Sequence, residues 1–134
     1  MRDTTTGISY EREIYNLLRK NNISYKSQVV IGKKRNGKGH RIDLIISKTL
    51  ISLKHQQVEG TAEEKIPFEF MKLQHAVSDY DYDNSIIVLS GDTGWTWKNY
   101  YLSPEFKNCM KILHPDVAIM SNEEFISQYS LTSS

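Results

Sequence analysis

The chain has 134 residues, a formal net charge of +1, and a composition that is 39% hydrophobic and 25% charged. This length predicts a single domain over residues 1–134, with a core that needs no stabilising disulfides. Because Cys109 is the single cysteine, the sequence excludes an intrachain disulfide framework and argues against zinc. No apolar run reaches the length of a membrane span. We therefore expect a cytoplasmic globular protein.

The first half of the chain has the patterns of one helix and a three-stranded meander. Ile14, Leu17 and Leu18 recur at the spacing of a helix face. Runs rich in Val, Ile and Leu predict strands, and the short turn between the last two indicates antiparallel pairing. The predicted elements are a helix over 8–20 and strands over 25–32, 40–47 and 49–57.

The second half alternates helices with short apolar strands. Pro67 suits the first turn of a helix whose apolar face contains Phe70 and Leu73. Ser121, followed three residues later by Glu124, matches a capping box at the start of a last helix. The predicted elements are a helix over 67–78, strands over 84–90 and 117–120, a loop over 91–96, a mixed segment over 98–110 with a helical stretch near 103–106, and a helix from residue 121. This order predicts an α/β fold, with a central mixed sheet of about five strands flanked by helices.

A basic loop separates the first two predicted strands. Its cationic side chains are spaced by glycines, and such a loop can follow a phosphate backbone. A solvated hairpin turn is the alternative interpretation. The residues of this loop that we predict to contact DNA are Lys33, Lys34, Arg35, Lys38, His40 and Arg41.

Asp43 and Lys54 are charged residues inside apolar strands. A carboxylate in such a strand costs free energy unless it is paired, hydrogen-bonded or bound to a metal. Strand alternation puts Ser52, Lys54 and Gln56 on one face. Antiparallel pairing can bring Lys54 opposite or diagonal to Asp43. The two residues form either a catalytic pair or a half-buried structural ion pair.

Glu11 is the third charged residue of interest. It lies on the helix face of Ile14 and Leu18, whereas Glu13 lies off that face. A carboxylate on the core-facing side of the helix can reach a site on the sheet. The alternative is a boundary glutamate that the helix dipole favours in the first turn.

Three segments together resemble the core of the PD-(D/E)XK nucleases, in that family's helix–strand–strand order and over roughly residues 7–90. The segments are Gly7-Ile8-Ser9-Tyr10-Glu11 with Ile14 and Leu17-Leu18, then Gly39-His40-Arg41-Ile42-Asp43, and then Ser52-Leu53-Lys54. The sequence is most similar to small restriction enzymes, Holliday-junction resolvases and homing endonucleases of this fold. The resemblance implies a restriction-endonuclease-like core in which Asp43 binds metal, Lys54 is catalytic and Glu11 supplements metal binding.

Two positions depart from the family pattern. Ile42 stands where many members have proline, and Ser52 stands where the second acid is expected. Some restriction enzymes with a Ser-x-Lys motif take a glutamate from the following helix, which implies Glu69 here, with Glu64 as a weaker substitute. Other members use a neutral group at this position, and the helix glutamate then supplies the charge. The predicted catalytic residues are Glu11, Asp43, Ser52 and Lys54, and the predicted metal ligands are Glu11, Asp43 and Glu69.

Two further residues join the predicted DNA interface. The segment before the helix of Glu69 looks like loop–helix junctions of restriction-type members, in which a lysine approaches the DNA. Lys65 is therefore a candidate phosphate contact, and a solvated helix lysine is the alternative. Gln56 shares the strand face of Lys54 and is also predicted to contact DNA.

The sequence and the resemblance together predict an endonuclease. We expect Mg²⁺ or Mn²⁺ as cofactor and double-stranded DNA as substrate. Cutting both strands with one active site per chain requires a homodimer or higher homo-oligomer. A compact chain without a separate DNA-reading domain fits a phage or mobile-element homing nuclease, or a small restriction enzyme. Holliday-junction resolution and a catalytically inactive DNA-binding module are the alternatives, and the missing acid at Ser52 keeps the second of them open.

Overall fold

The segments with periodic apolar residues fold as a strand meander and a set of amphipathic helices. A computed structural model describes residues 7–55, 63–91 and 95–131. The elements are α1 (Gly7–Lys20), β1 (Lys26–Lys33), β2 (Gly39–Ile46), β3 (Thr49–His55), a short 3₁₀ turn (Glu63–Lys65), α2 (Ile66–Asp79), β4 (Asn84–Ser90), α3 (Lys98–Tyr101), α4 (Pro104–Leu113), β5 (Val117–Ser121) and α5 (Asn122–Gln128). The predicted order is confirmed, and the predicted bounds of the strands and of the first two long helices shift by at most one residue. The predicted end of the third strand, residues 56–57, lies outside the described residues.

The five strands form one mixed sheet in the order β1-β2-β3-β4-β5. The meander pairs antiparallel, whereas β3 with β4 and β4 with β5 are parallel. Parallel neighbours need a crossover connection, and α2 provides it between β3 and β4. The mixed α/β sheet predicted from the sequence is therefore confirmed.

Each face of the sheet carries its own apolar core. On one face, α2 and α4 cover the sheet through residues that include Leu50, Phe70, Leu73, Ile87 and Phe106. On the other face, α1 and α5 cover it through residues that include Ile14, Leu18, Leu44, Ile51 and Phe125. β4 is buried on both faces, which explains why its sequence is a continuous apolar run.

The regular alternation of β2 breaks at Asp43. Ile42 belongs to the core on the α2 side and Leu44 to the core on the α1 side, although strand residues two apart normally share a face. On β1, which pairs with β2 on both sides of this point, Gln28 has a positive φ of 51°. Such local irregularities re-aim side chains and recur beside active sites. The break turns the Asp43 side chain toward β3, where its carboxylate meets the backbone of Leu53.

The segment that the sequence left mixed folds as two short helices. Ser103 caps α4 by accepting a hydrogen bond from the Phe106 amide, and Pro104 fits its first turn. Glu63 accepts hydrogen bonds from the backbone amides of Thr96 and Trp97 just before α3. No sequence periodicity reveals that contact, because it joins two segments far apart in the chain.

Two further expectations concern the last helix and the membrane. Ser121 caps α5 by accepting a hydrogen bond from the Glu124 amide at 3.1 Å, so the predicted N-cap is confirmed. Among the described residues, none of the helices combines the length and apolar content that crossing a bilayer requires.

Candidate active site

Asp43 lies at the centre of a group of polar residues on β2 and β3. Its Oδ2 atom accepts a hydrogen bond from the Leu53 amide at 2.8 Å. Continuing the pairing of Leu44 with Ile51 by one residue brings Asp43 opposite Ser52, with Lys54 diagonal to it. Burial raises the pKa of Asp43, and hydrogen bonding to Leu53 with the nearby Lys54 charge offsets only part of that effect.

The buried Ser52 and Glu69 form a polar cluster with the partly exposed Lys54 and Lys72. Ser52 Oγ donates to Glu69 Oε2 at 2.9 Å, and Lys54 Nζ lies 3.6 Å from Glu69 Oε1. Lys72 Nζ lies 3.1 Å from the same Oε1 atom. Burial raises the pKa of Glu69, but the charges of Lys54 and Lys72 outweigh burial and hold that pKa below its usual value. A carboxylate therefore stands beside Ser52, and it comes from α2 rather than from β3.

Glu11 reaches the same region from α1. Gln28 donates to Glu11 Oε1 at 2.8 Å, and the Tyr15 hydroxyl donates to the Asp43 carbonyl oxygen at 2.9 Å. Burial raises the pKa of Glu11, and the negative charge of Asp43 raises it further. The two carboxylates are therefore close enough to repel each other, which is the electrostatic condition that a bound cation relieves.

These residues surround two neighbouring concavities. An open cavity of about 200 Å³ is lined by Lys34, Gly39, His40, Arg41, Ile42, Asp43, Ile51, Ser52, Lys54, Glu69 and Lys72. Glu11 lines a shallower surface with Arg12, Tyr15 and Gln28. The structure thus brings Asp43, Ser52, Lys54 and Glu69 into one cavity, whereas Glu11 lines a separate and more open surface.

The residues predicted to contact DNA differ in their exposure to solvent and in whether they line the cavity. The exposed members are Lys33, Arg35, Lys38, Arg41 and Lys65. Lys34 and His40 line the cavity itself, and so does the exposed Arg41. Burial lowers the pKa of His40, which favours a neutral ring over a cationic phosphate contact near neutral pH. Gln56 lies outside the described residues.

The carboxylate oxygens around Asp43 suit a hard divalent cation, although they do not complete its coordination shell. Among the described residues, no three histidine, cysteine, aspartate or glutamate side chains converge into a metal-binding group. Magnesium needs no such group, because proteins commonly hold it by one or two carboxylates while waters and substrate phosphates complete its shell. Asp43 and Glu11 could supply two carboxylates of this kind, whereas Glu69 is already paired with Lys54 and Lys72.

Three residues of the site were absent from the sequence predictions: Tyr15, Gln28 and Lys72. Tyr15 is four residues after Glu11 and Lys72 is three after Glu69, so helix spacing alone could have paired them. Gln28 faces the strand break at Asp43, and its role depends on the positive φ that no sequence pattern indicates.

The basic loop is anchored to α2 by two polar contacts. The Tyr80 hydroxyl accepts a hydrogen bond from the Lys33 amide at 2.7 Å and donates to the Lys33 carbonyl at 2.9 Å. Arg35 forms a bidentate pair with Asp79, with N–O distances of 3.0 and 2.8 Å. The loop therefore holds a defined position at the rim of the cavity.

Replacing Gly32 by alanine should loosen this anchor. Gly32 has a φ of 153°, and a Cβ atom there would overlap the Tyr80 ring. We expect Gly32→Ala to lower the free energy of unfolding by about 2–3 kcal/mol, from strain and overpacking together. Gly37→Ala is the matched control, because Gly37 has a φ of 87° with nothing within 4 Å of a new Cβ. Urea unfolding measures both variants, and equal losses would contradict the role of Tyr80.

Replacing Asp43 by asparagine should stabilise the metal-free protein. The pKa of Asp43 is raised in the fold, so its ionisation is less favourable there than in the unfolded chain, and stability falls as the pH rises through the folded pKa. Asparagine removes that cost and keeps an acceptor for the Leu53 amide. We expect a melting temperature about 2–5 °C above wild type at neutral pH, as roughly 1 kcal/mol produces in a domain of this size.

The matched control for Asp43→Asn is Asp79→Asn. Hydrogen bonding to Arg35 lowers the pKa of Asp79, so removing its charge should not stabilise the protein at neutral pH. Adding Mg²⁺ should raise the melting temperature of wild type more than that of Asp43→Asn. Thermal unfolding that gives Asp43→Asn a lower melting temperature than wild type at pH 7, without metal, would contradict the inferred charge cost.

The comparisons with known proteins give one family match. A family model described as a PD-(D/E)XK nuclease superfamily domain matches residues 3–130. The search of curated proteins finds no match. Among solved structures, the chain is similar to a protein of unknown function, AF1548, with a TM-score of 0.45 and 11% sequence identity. That similarity covers 84% of this chain, and the chain spans 56% of the length of that protein.

Proposed function

The chain belongs to the PD-(D/E)XK nuclease superfamily, and from this premise we propose that it is a metal-dependent endonuclease that cuts double-stranded DNA. Superfamily membership gives the general class, a nuclease-type hydrolase. The finer proposal rests on one observation: Asp43, Lys54 and Glu69 come from three different elements and line one open cavity at the edge of a basic loop. That combination supplies carboxylates, a cation and access for a phosphate.

Asp43 and Glu11 would hold a divalent cation, Mg²⁺ or Mn²⁺, with the Leu53 carbonyl as a further candidate ligand. When bound, such an ion neutralises charge on the phosphate and lowers the pKa of water. The protein's contribution is to fix the two carboxylates. The Leu53 amide orients Asp43, and Gln28 holds Glu11. The Tyr15 hydroxyl links the two residues, because it donates to the backbone carbonyl of Asp43 and also contacts Glu11.

Lys54 would stabilise the negative charge that develops on the scissile phosphate, or orient the attacking water. Its side chain is 31% exposed, so the ammonium is accessible from the cavity while Glu69 fixes its direction. Groups that are already oriented in this way stabilise a transition state without reorganising during the reaction. Glu69 would act as the relocated acid of the motif, since its carboxylate lies beside Ser52.

The exposed cations of the loop would bind the phosphate backbone of DNA. The formal net charge of the chain is +1, so binding depends on this local patch rather than on the overall field. Lys33, Lys38 and Arg41 are exposed on the loop, and Lys65 is exposed where α2 begins. We further propose an intracellular homodimer with site-specific activity of the homing or restriction type. Two protomers related by a two-fold axis would cut both strands of a near-palindromic site.

A plasmid assay tests the proposed activity. Incubating wild-type protein with supercoiled plasmid and Mg²⁺ should give nicked and linear products, and excess EDTA should stop the reaction. Repeating the assay with a DNA pool of random sequence, followed by sequencing of the ends, identifies any preferred site. Binding without cleavage in Mg²⁺ or Mn²⁺ would overturn the nuclease proposal and favour an inactive DNA-binding module. Cleavage confined to branched DNA would replace the double-strand proposal with junction resolution.

A further inference from the structure

A second cavity lies beside the candidate active site, between α2 and the basic loop. Its volume is about 340 Å³, within the range of about 300–1,000 Å³ that is typical of small-ligand pockets. Phe68, Met71 and Ala76 supply apolar surface from α2, and Tyr80 adds aromatic surface. Phe68 is 55% exposed, which is unusual for a phenylalanine beside a polar site.

The second cavity adjoins the first, because the two share lining residues. Lys34, His40 and Lys72 line both of them. Lys72 marks the boundary, because its ammonium lies 3.1 Å from Glu69 Oε1 and 5.3 Å from the centre of the Phe68 ring. A nucleotide with its phosphate beside Lys54 could therefore direct a neighbouring base toward Phe68.

The charges at the rim suit a polyanion. Lys33 and Lys34 lie on the loop side of the pocket, whereas Arg35 and the carboxylate of Asp79 are paired with each other. The anchors of Tyr80 and Arg35 hold the loop wall in position before any ligand arrives. A preorganised apolar pocket with a cationic rim matches the two halves of a nucleotide, a flat base and a phosphate.

We propose that this pocket binds an unpaired nucleobase next to the phosphate in the active site. This inference rests on the proposed nuclease function and adds a substrate class to it. A base inside a duplex is stacked on its neighbours and cannot enter such a pocket unless it leaves the stack. Leaving the stack costs least where a base is already unpaired. The protein should therefore prefer DNA that carries an unpaired nucleotide, such as a bulge, over a fully paired duplex.

A binding experiment separates the base from the flexibility of a bulge. Fluorescence anisotropy is measured for two labelled duplexes that differ only in the base of a single-nucleotide bulge. One duplex has that base, and the other has an abasic site in its place. Ca²⁺ replaces Mg²⁺, because carboxylates also bind this hard cation, and gels check that the DNA stays intact. We expect wild type to bind the base-containing bulge about tenfold more tightly, as stacking on an aromatic ring would give.

Two substitutions in the pocket test where that preference originates. Phe68→Ala removes the exposed ring and Met71→Trp fills the cavity, and each should reduce the preference to about twofold or less. Trp97→Ala is the matched control, because Trp97 is also 55% exposed but does not line the pocket. Circular dichroism confirms that the variants are folded.

The outcomes distinguish this pocket from the proposed function. Equal wild-type affinity for the two bulges, or a preference that survives both pocket substitutions, would overturn the base-binding proposal and leave the nuclease proposal standing. Absence of binding to any DNA would overturn both. A preference that both pocket variants lose and Trp97→Ala keeps would support the assignment.

Discussion

Replacing Lys54 by methionine should reduce plasmid cleavage in Mg²⁺ by about 100–1,000-fold, as the loss of one preorganised electrostatic group does in other enzymes. Methionine keeps an aliphatic side chain of similar length, so packing beside Ser52 changes little while the ammonium disappears. DNA affinity should fall by far less than the rate, because most of the proposed phosphate contacts are made by the cations of the loop. Initial rates of nicking and anisotropy titrations measure the two quantities separately.

The matched control for this substitution is Lys111→Met. Lys111 is exposed on α4, which packs against β5, whereas Lys54 faces the cavity between β2, β3 and α2. Replacing Lys111 by methionine removes the same charge and should leave the cleavage rate unchanged. If Lys54→Met cuts plasmid as fast as Lys111→Met does, Lys54 has no catalytic role and its contact with Glu69 is a structural ion pair.

The sequence predicted the secondary structure well because its local signals agree with the tertiary environment. The apolar run over 84–90 is a strand buried on both faces, and its bounds match the prediction. The segment over 98–110 was harder to interpret, because α3 depends on Glu63 for hydrogen bonds to the amides before it. A helix that is stabilised by a distant carboxylate leaves no periodic pattern of its own.

The candidate site shows a similar division between local and non-local information. Asp43 and Lys54 could be singled out as charged residues within two apolar strands. Only the family resemblance implied that Glu69 accompanies Ser52, since spacing gives the distance along the chain and not the docking of α2 on the sheet. The break in β2 at Asp43 is also non-local. It lies opposite Gln28 of the neighbouring strand, which has a positive φ that a glutamine rarely adopts.

The charged residues of the site have opposite effects on the stability of the fold. Burial raises the pKa of both Asp43 and Glu11, and the charge of Asp43 raises that of Glu11 further, so the two carboxylates destabilise the metal-free fold at neutral pH. Glu69 has the opposite effect, because two lysines lower its pKa and its ionised form therefore stabilises the fold. The candidate site thus combines Glu69, whose charge stabilises the fold, with Asp43 in the same cavity and Glu11 outside it, whose charges a cation would have to compensate.

Replacing Glu69 by glutamine should impair both activity and stability. We expect cleavage to fall by about 10–100-fold, the usual effect of losing a group that orients catalytic residues. We expect the free energy of unfolding to fall by about 1–3 kcal/mol at pH 7. This lies between the values for exposed and buried ion pairs, since Lys54 and Lys72 are partly exposed.

The pKa of Glu69 is lowered in the fold, so its stabilisation is present above the unfolded pKa and is lost as the pH falls through the folded pKa. The difference in stability from wild type should therefore shrink in acid. Glu64→Gln, at an exposed glutamate before α2, is the control.

Moving the carboxylate back to the strand tests whether Glu69 is the relocated acid of the motif. Ser52 and Lys54 lie two residues apart on one strand face, so a glutamate at Ser52 would project toward the same cavity. In the Glu69→Gln background, Ser52→Glu should recover at least about tenfold in cleavage rate, because the negative charge returns beside Lys54. Ser52→Glu alone should be less stable than wild type, because it adds a second buried carboxylate next to Glu69. If the double variant is folded but no more active than Glu69→Gln, the carboxylate cannot be exchanged between strand and helix, and Glu69 serves only to hold the two lysines.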